Sequence, residues 1–342
     1  LFAAPSLAAC TSLSYYFQSA EGHMEILAAR QSVEKLANDP QQPKAVRSQM
    51  SLARDMRQFA VDELGLPDNK SYKSYVDVGR DYVTIAVFAA PEFSIVPRVW
   101  CFPVFGCVPY RAHFSVQAAQ REREGLERLG FDVHVTGVTA YSTLGWTGDP
   151  LLNTMFRDDE THLAAVMFHE LAHQQVYVRD DSAFNEAFAV AVERTGVQKW
   201  LRENRDFEGL RRYEKRNRRS AEFLALIDET RHDLRKIYLS NDSDLHKRMK
   251  KSEAFERLHT RYLALRDTHW NSYTGYDRWF DGPLNNAKIA ATAVYSELVP
   301  AFFRLFEACG ENYARFYDAV ATLGKIDRAK RLNALNKMSK CT

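Results

Sequence analysis

The feature that most constrains this chain is a five-residue run, His169-Glu170-Leu171-Ala172-His173, followed shortly by Phe184-Asn185-Glu186-Ala187-Phe188-Ala189. Residues 161–178 contain neither Gly nor Pro, and Leu163, Val166, Met167, Leu171 and Val176 recur at helical spacing. The spacing predicts a mostly buried helix. His169 and His173 then stand one turn apart on one face, where two imidazoles can converge on a single ion. Glu170 projects beside them, placed to take a proton from water. If the run were purely structural, the histidines would bond to backbone and Glu170 would simply be solvated.

A third ligand needs a second element. Ser182 reads as an N-cap and residues 183–195 as a helix carrying Glu186, with Phe184, Phe188 and Val192 on its apolar face. Glu186 and Glu193 are close to two turns apart, so both can face the first helix. The distance of Glu193 from His173 is similar to that in thermolysin-like proteases. Asn185-Glu186 resembles the second zinc-binding segment of gluzincin metallopeptidases, in which an Asn-Glu pair supplies the ligand carboxylate. That resemblance selects Glu186 and leaves Glu193 as an acid behind the ligands.

Bulk properties exclude some partners. The 342 residues carry a net charge of +2, and the basic residues between Arg202 and Lys251 are interleaved with acids, as on a solvated helical face. No nucleic-acid partner is expected. No apolar run approaches the roughly 20 residues that span a bilayer. Leu7-Ala8-Ala9-Cys10 matches a lipobox, so residues 1–10 read as the remnant of a lipoprotein signal peptide whose beginning is missing ahead of Leu1. Membrane association is then expected only through a lipidated Cys10. Thr11 after that cysteine favours the periplasmic face of the outer membrane in a Gram-negative cell. Cys101, Cys107, Cys309 and Cys341 are an even number for a compartment that permits disulfides. Cys101 and Cys107 flank a short loop and can pair easily, leaving Cys309 with Cys341, although three connectivities are open.

The expected fold class is α+β and predominantly helical, a zincin-like core with a small sheet and a helical C-terminal half. Helices are predicted over 14–38, 43–64 and 116–129, and strands over 82–89 and 131–138. Two short strands joined by a constrained turn are expected within 97–114. The segment 139–150 is either a turn-rich connector or an extended stretch on which a peptide adds as a strand. Beyond it, 210–239 and 244–270 form a charged helical hairpin, 273–283 an aromatic loop, and 285–308 an apolar helix containing Tyr295. A last helix begins near Glu311. Residues 11–200 would hold the catalytic region and 201–342 a helical region completing it.

With Trp100-Cys101-Phe102-Pro103 and Ala140-Tyr141-Ser142-Thr143-Leu144-Gly145-Trp146, the two motifs resemble a bacterial family of zinc aminopeptidases, often lipoproteins, over most of the chain. The resemblance implies a zincin-like metallopeptidase acting on peptides or proteins. The residues themselves suggest one Zn2+ per chain on His169 and His173, with Glu170 as general base, and the resemblance implies Glu186 as the third ligand. Tyr295 and Tyr141 are candidate phenols for stabilising the oxyanion. Well-characterised gluzincin aminopeptidases hold the substrate amine with a glutamate on a Gly-x-Met-Glu-Asn segment, which this chain lacks. The nearest acids are Asp149 and Glu92, so a zinc endopeptidase is a second reading. A third is a non-catalytic, lipid-anchored envelope binding or assembly protein with a structural metal site and the charged hairpin as its surface. Glu170 argues against the third, since a structural site has no use for a base.

Overall fold

The computed structural model describes residues 6–102, 106–156, 159–293, 298–338 and 341, with the backbone alone at 6–14 and 293. Helix α1 (Ser6–Ala28), which includes Cys10, is followed by a short strand β1 (Gln31–Ser32) and helix α2 (Val33–Asn38). The single helix predicted over 14–38 is therefore broken. Ser32 caps α2 by accepting from the Lys35 amide, the Val33 amide donates to the Lys73 carbonyl, and Gln31 and Ser32 pair with residues 74–75. Helix α3 (Lys44–Asp62) starts after Pro43, and strands β2 (Ser74–Val76) and β3 (Thr84–Pro91) come next. β4 (Trp100–Phe102) and β5 (Gly106–Val108) form the expected hairpin, cross-linked by Cys101–Cys107. β6 (Tyr110–His113), α4 (Val116–Arg128), β7 (Phe131–Val138) and β8 (Leu151–Leu152) complete the mixed half.

The rest is helical: α5 (Glu160–Gln175), α6 (Ser182–Glu203), α7 (Phe207–Leu239), α8 (Asp244–Thr268), α9 (Asn286–Ala293), α10 (Val299–Ala308), α11 (Tyr313–Gly324) and α12 (Arg328–Lys337). Of the helix predicted over 285–308, the described residues form α9 and α10. Pro300 lies in the first turn of α10, where its missing amide hydrogen leaves no bond unmade. Tyr295 lies outside the described residues. The architecture is α+β and predominantly helical.

The main sheet runs β6-β3-β7, all antiparallel, with Val87 opposite Arg111 on one side and Val135 on the other. β3 is covered on both faces. Val87 and Ala89 pack with Ala119 and Leu126 of α4, whereas Ala86, Phe88 and Ala90 pack with Ala287 and Ala291 of α9. Successive side chains of a strand point to opposite faces, so a strand covered on both sides is apolar throughout rather than alternating.

The largest apolar core joins α3, α5, α6, α10 and α11, with Met56, Phe168, Phe184, Phe188, Phe302 and Phe316 fully enclosed. The C-terminal helices thus pack directly on α6, which carries the second sequence motif, through Phe184 and Phe188 against Phe302 and Phe316. Cys309–Cys341 fixes the C-terminal tail to the end of α10. The α7–α8 hairpin has its own core of Phe223, Tyr262 and Trp270, closed by Tyr276 and Phe280 of the aromatic loop. Lys251–Asp132 and Arg248–Glu92 ion pairs tie α8 to the sheet end. No described helix is long and apolar enough to cross a membrane.

Candidate metal centre

α5 is capped by Asp159, whose carboxylate accepts from the His162 amide and the Thr161 hydroxyl. It stops at Gln175, short of the predicted 178, because Asn185 captures the backbone of Val178 through both its amide and its carbonyl, at 2.8 and 2.7 Å. Asn185 therefore fixes the loop that sets α6 against α5. The α6 cap is Asp181 rather than Ser182, and the helix runs to Glu203 rather than 195. Gly196 permits this extension, since a Cβ there would lie 2.7 Å from Leu64 and 3.0 Å from Phe168. Asp181 also pairs with Arg331 of α12, both buried. The same guanidinium donates to the Leu323, Gly324 and Ile326 carbonyls.

These helices bring His169, His173 and Glu186 together, with one ligand atom of each within 4.8 Å of the others. The two Nε2 atoms are 3.2 Å apart and the rings nearly perpendicular. Glu186 Oε2 lies 3.2 Å from His169 Nε2, and its Oε1 3.7 Å from His173 Nε2. Glu193 stands behind the cluster, 3.2 Å from His169 Nδ1. Both carboxylates weighed in the sequence are present, in different places. The His169, His173 and Glu186 side chains are 16, 10 and 21% exposed, so the cluster is largely enclosed.

An ionised carboxylate only accepts, so Glu193 keeps a hydrogen on His169 Nδ1 and directs Nε2 at the cluster. Two imidazole nitrogens this close share a proton or an ion between them. Burial opposes the His169 imidazolium, but Glu186 and Glu193 outweigh burial and hold its pKa well above the ordinary value. Burial pushes His173 down to about 4. Burial also works to raise Glu186, but hydrogen bonding to His169 and the charges of both histidines keep it below the usual carboxylate range. Two ring nitrogens and a carboxylate gathered around one positive charge form a donor set suited to zinc, so these residues fit the ion. Glu170, only partly exposed, is pushed up to about 7 by burial, against the pull of His169 and with help from Glu186 and Asp149.

The other candidates are engaged as follows. The Tyr141 hydroxyl is 2.6 Å from His23 Nδ1 on α1, and its ring packs edge-on against Phe114. The phenols that feel Glu186 are instead Tyr110 on β6, which also feels Glu170, and Tyr177 in the loop after α5. Tyr177 follows His173 by one helical turn, a spacing that could have flagged it. Tyr110 carries no comparable local signal. Asp149 is buried and accepts from the Ser142 hydroxyl, the Thr143 amide and hydroxyl, and the Gly145 amide. It closes 142–149 into a turn. Glu92 meets Arg248 through both oxygens. Neither acid is free to hold a substrate amine.

No curated protein and no solved structure matches the chain. A family described as "Putative aminopeptidase" matches residues 14–335, nearly its whole length. The chain belongs to that aminopeptidase family.

Proposed function

We propose that the chain is a mononuclear zinc peptidase of gluzincin type, acting on peptides as an aminopeptidase. The observation that carries this reading is the convergence of His169, His173 and Glu186 beside a Glu170 poised near neutrality. A zinc ion held by those three residues supplies Lewis acidity toward water and a peptide carbonyl. Glu170 takes a proton from the attacking water and returns it to the leaving amine. Glu193 fixes the ring of His169, and Asn185 fixes the loop from which Glu186 is presented. Tyr110 and Tyr177, whose phenols are raised by burial and further by the Glu186 charge, join Tyr141 as candidate donors to a developing oxyanion.

The lipobox at Leu7–Cys10 and the two disulfides support a lipid-anchored protein of the Gram-negative envelope, on the periplasmic face of the outer membrane, attached through Cys10 alone. A second reading, endopeptidase action, is favoured by the engagement of Asp149 and Glu92 elsewhere.

The test is zinc analysis of the wild type, His173→Ala and Glu186→Ala, with hydrolysis of free-amine and N-blocked substrates side by side. One zinc per chain, lost in both variants, and cleavage of free-amine substrates alone are expected. Cleavage of blocked peptides moves the assignment to endopeptidase. Absence of zinc after reconstitution overturns the metallopeptidase reading.

A further inference from the structure

One turn beyond Glu170, on the same face of α5, stands Gln174. Its Oε1 accepts from Asn69 Nδ2 at 2.7 Å, and its amide group donates to Ser71 Oγ at 3.3 Å. The face that carries the proposed base is therefore pressed against the loop 69–72. The next residue of that loop, Tyr72, is 2% exposed, and its backbone amide donates to the Asp149 carbonyl at 2.7 Å.

Two features set Tyr72 apart. Its φ of +63° lies in the left-handed region, which a bulky side chain rarely adopts. Its hydroxyl is buried with no hydrogen-bond partner. Folded proteins avoid orphaned buried donors, and backbone strain gathers where a side chain must be held for function. Burial holds this phenol well above its ordinary value, the Glu170 and Asp149 charges add to the rise, and Arg57 opposes it. Asp149 already takes donors from Ser142, Thr143 and Gly145, which leaves Glu170 as the acceptor still to be served.

We propose that Tyr72 is a positioning residue whose buried hydroxyl meets the Glu170 carboxylate as it turns toward the loop, and holds it in the orientation from which the proton is taken and returned. This rests on the peptidase reading above. Tyr72 is enclosed and acts only through Glu170.

Tyr72→Phe removes the hydroxyl and nothing else. In metal-stripped protein, melting of the wild type, Tyr72→Phe, Glu170→Ala and the double variant forms a thermodynamic cycle. Loss of the hydroxyl is expected to lower the Tm when Glu170 is present, with the effect shrinking or reversing in the Glu170→Ala background, which leaves no side-chain acceptor. A hydroxyl serving no partner is neutral or favourable to remove in both backgrounds, and such additivity overturns the proposal whether or not the chain hydrolyses peptides. In zinc-loaded enzyme, Tyr72→Phe is expected to lower kcat by about tenfold or more while KM and zinc content hold. Unchanged kcat, in an enzyme that Glu170→Gln inactivates, also overturns it. A non-additive cycle in a wild type that cleaves nothing supports the contact and counts against the peptidase reading alone.

Discussion

Glu170→Gln separates the chemistry of the site from its stability. Burial carries the Glu170 carboxyl from its ordinary 4.5 to about 7. A folded pKa above the unfolded one means that Glu170 favours the fold most below about pH 4.5, and that this contribution is lost as pH rises through about 7. At about 1.4 kcal/mol per pH unit, the rise amounts to ~3 kcal/mol withheld from the ionised wild type. Gln does not ionise and escapes that loss. Metal-stripped Glu170→Gln should therefore gain on the wild type between about pH 5 and about pH 8, by a few degrees of Tm for a chain of this size. The assay is calorimetry of both proteins at the two pH values in the presence of chelator. A Tm difference independent of pH, or one that moves against the variant as pH rises, refutes the argument that Glu170 sits in a site hostile to its charge. The same variant should retain zinc and lose hydrolysis, so the position trades stability for activity.

Glu193→Gln should keep one zinc per chain but bind it about 10–100-fold more weakly, measured by chelator competition, because His169 loses the partner that sets its tautomer. Arg331→Ala should destabilise the fold by about 3 kcal/mol in denaturant titration, since it leaves the buried Asp181 at the head of α6 with only the more exposed Arg328, 4.0 Å away, as its cation. Cys341→Ser opens the loop closed by Cys309–Cys341, 32 residues apart in sequence. It should cost about 3–4 kcal/mol under oxidising conditions, and nothing once the wild type is reduced.

The two histidines were legible because helical periodicity is local: residues four apart on an unbroken apolar run must share a face. Glu186 was legible through its neighbour Asn185, but the work done by Asn185 was not, since it depends on the backbone of Val178 in a loop of unknown path. The all-apolar run of β3 announced burial without saying that α4 and α9 would cover its two faces. Where the helix predictions failed, distant pairing was usually responsible. Gln31 and Ser32 have no local reason to leave a helix until residues 74–75 offer them a strand. Tyr72 and Tyr110 draw their interest from charges on other elements, and nothing in their own neighbourhoods signals it.

The Arg331–Asp181 pair joins partners 150 residues apart in sequence. A polypeptide emerges from the ribosome in order, so α5 and α6 are present long before α12. Until α12 is made, the first turn of α6 has a carboxylate at its head with no guanidinium against it. The tie between the head of the helix that presents Glu186 and the C-terminal helices is therefore one that only a nearly complete chain can form.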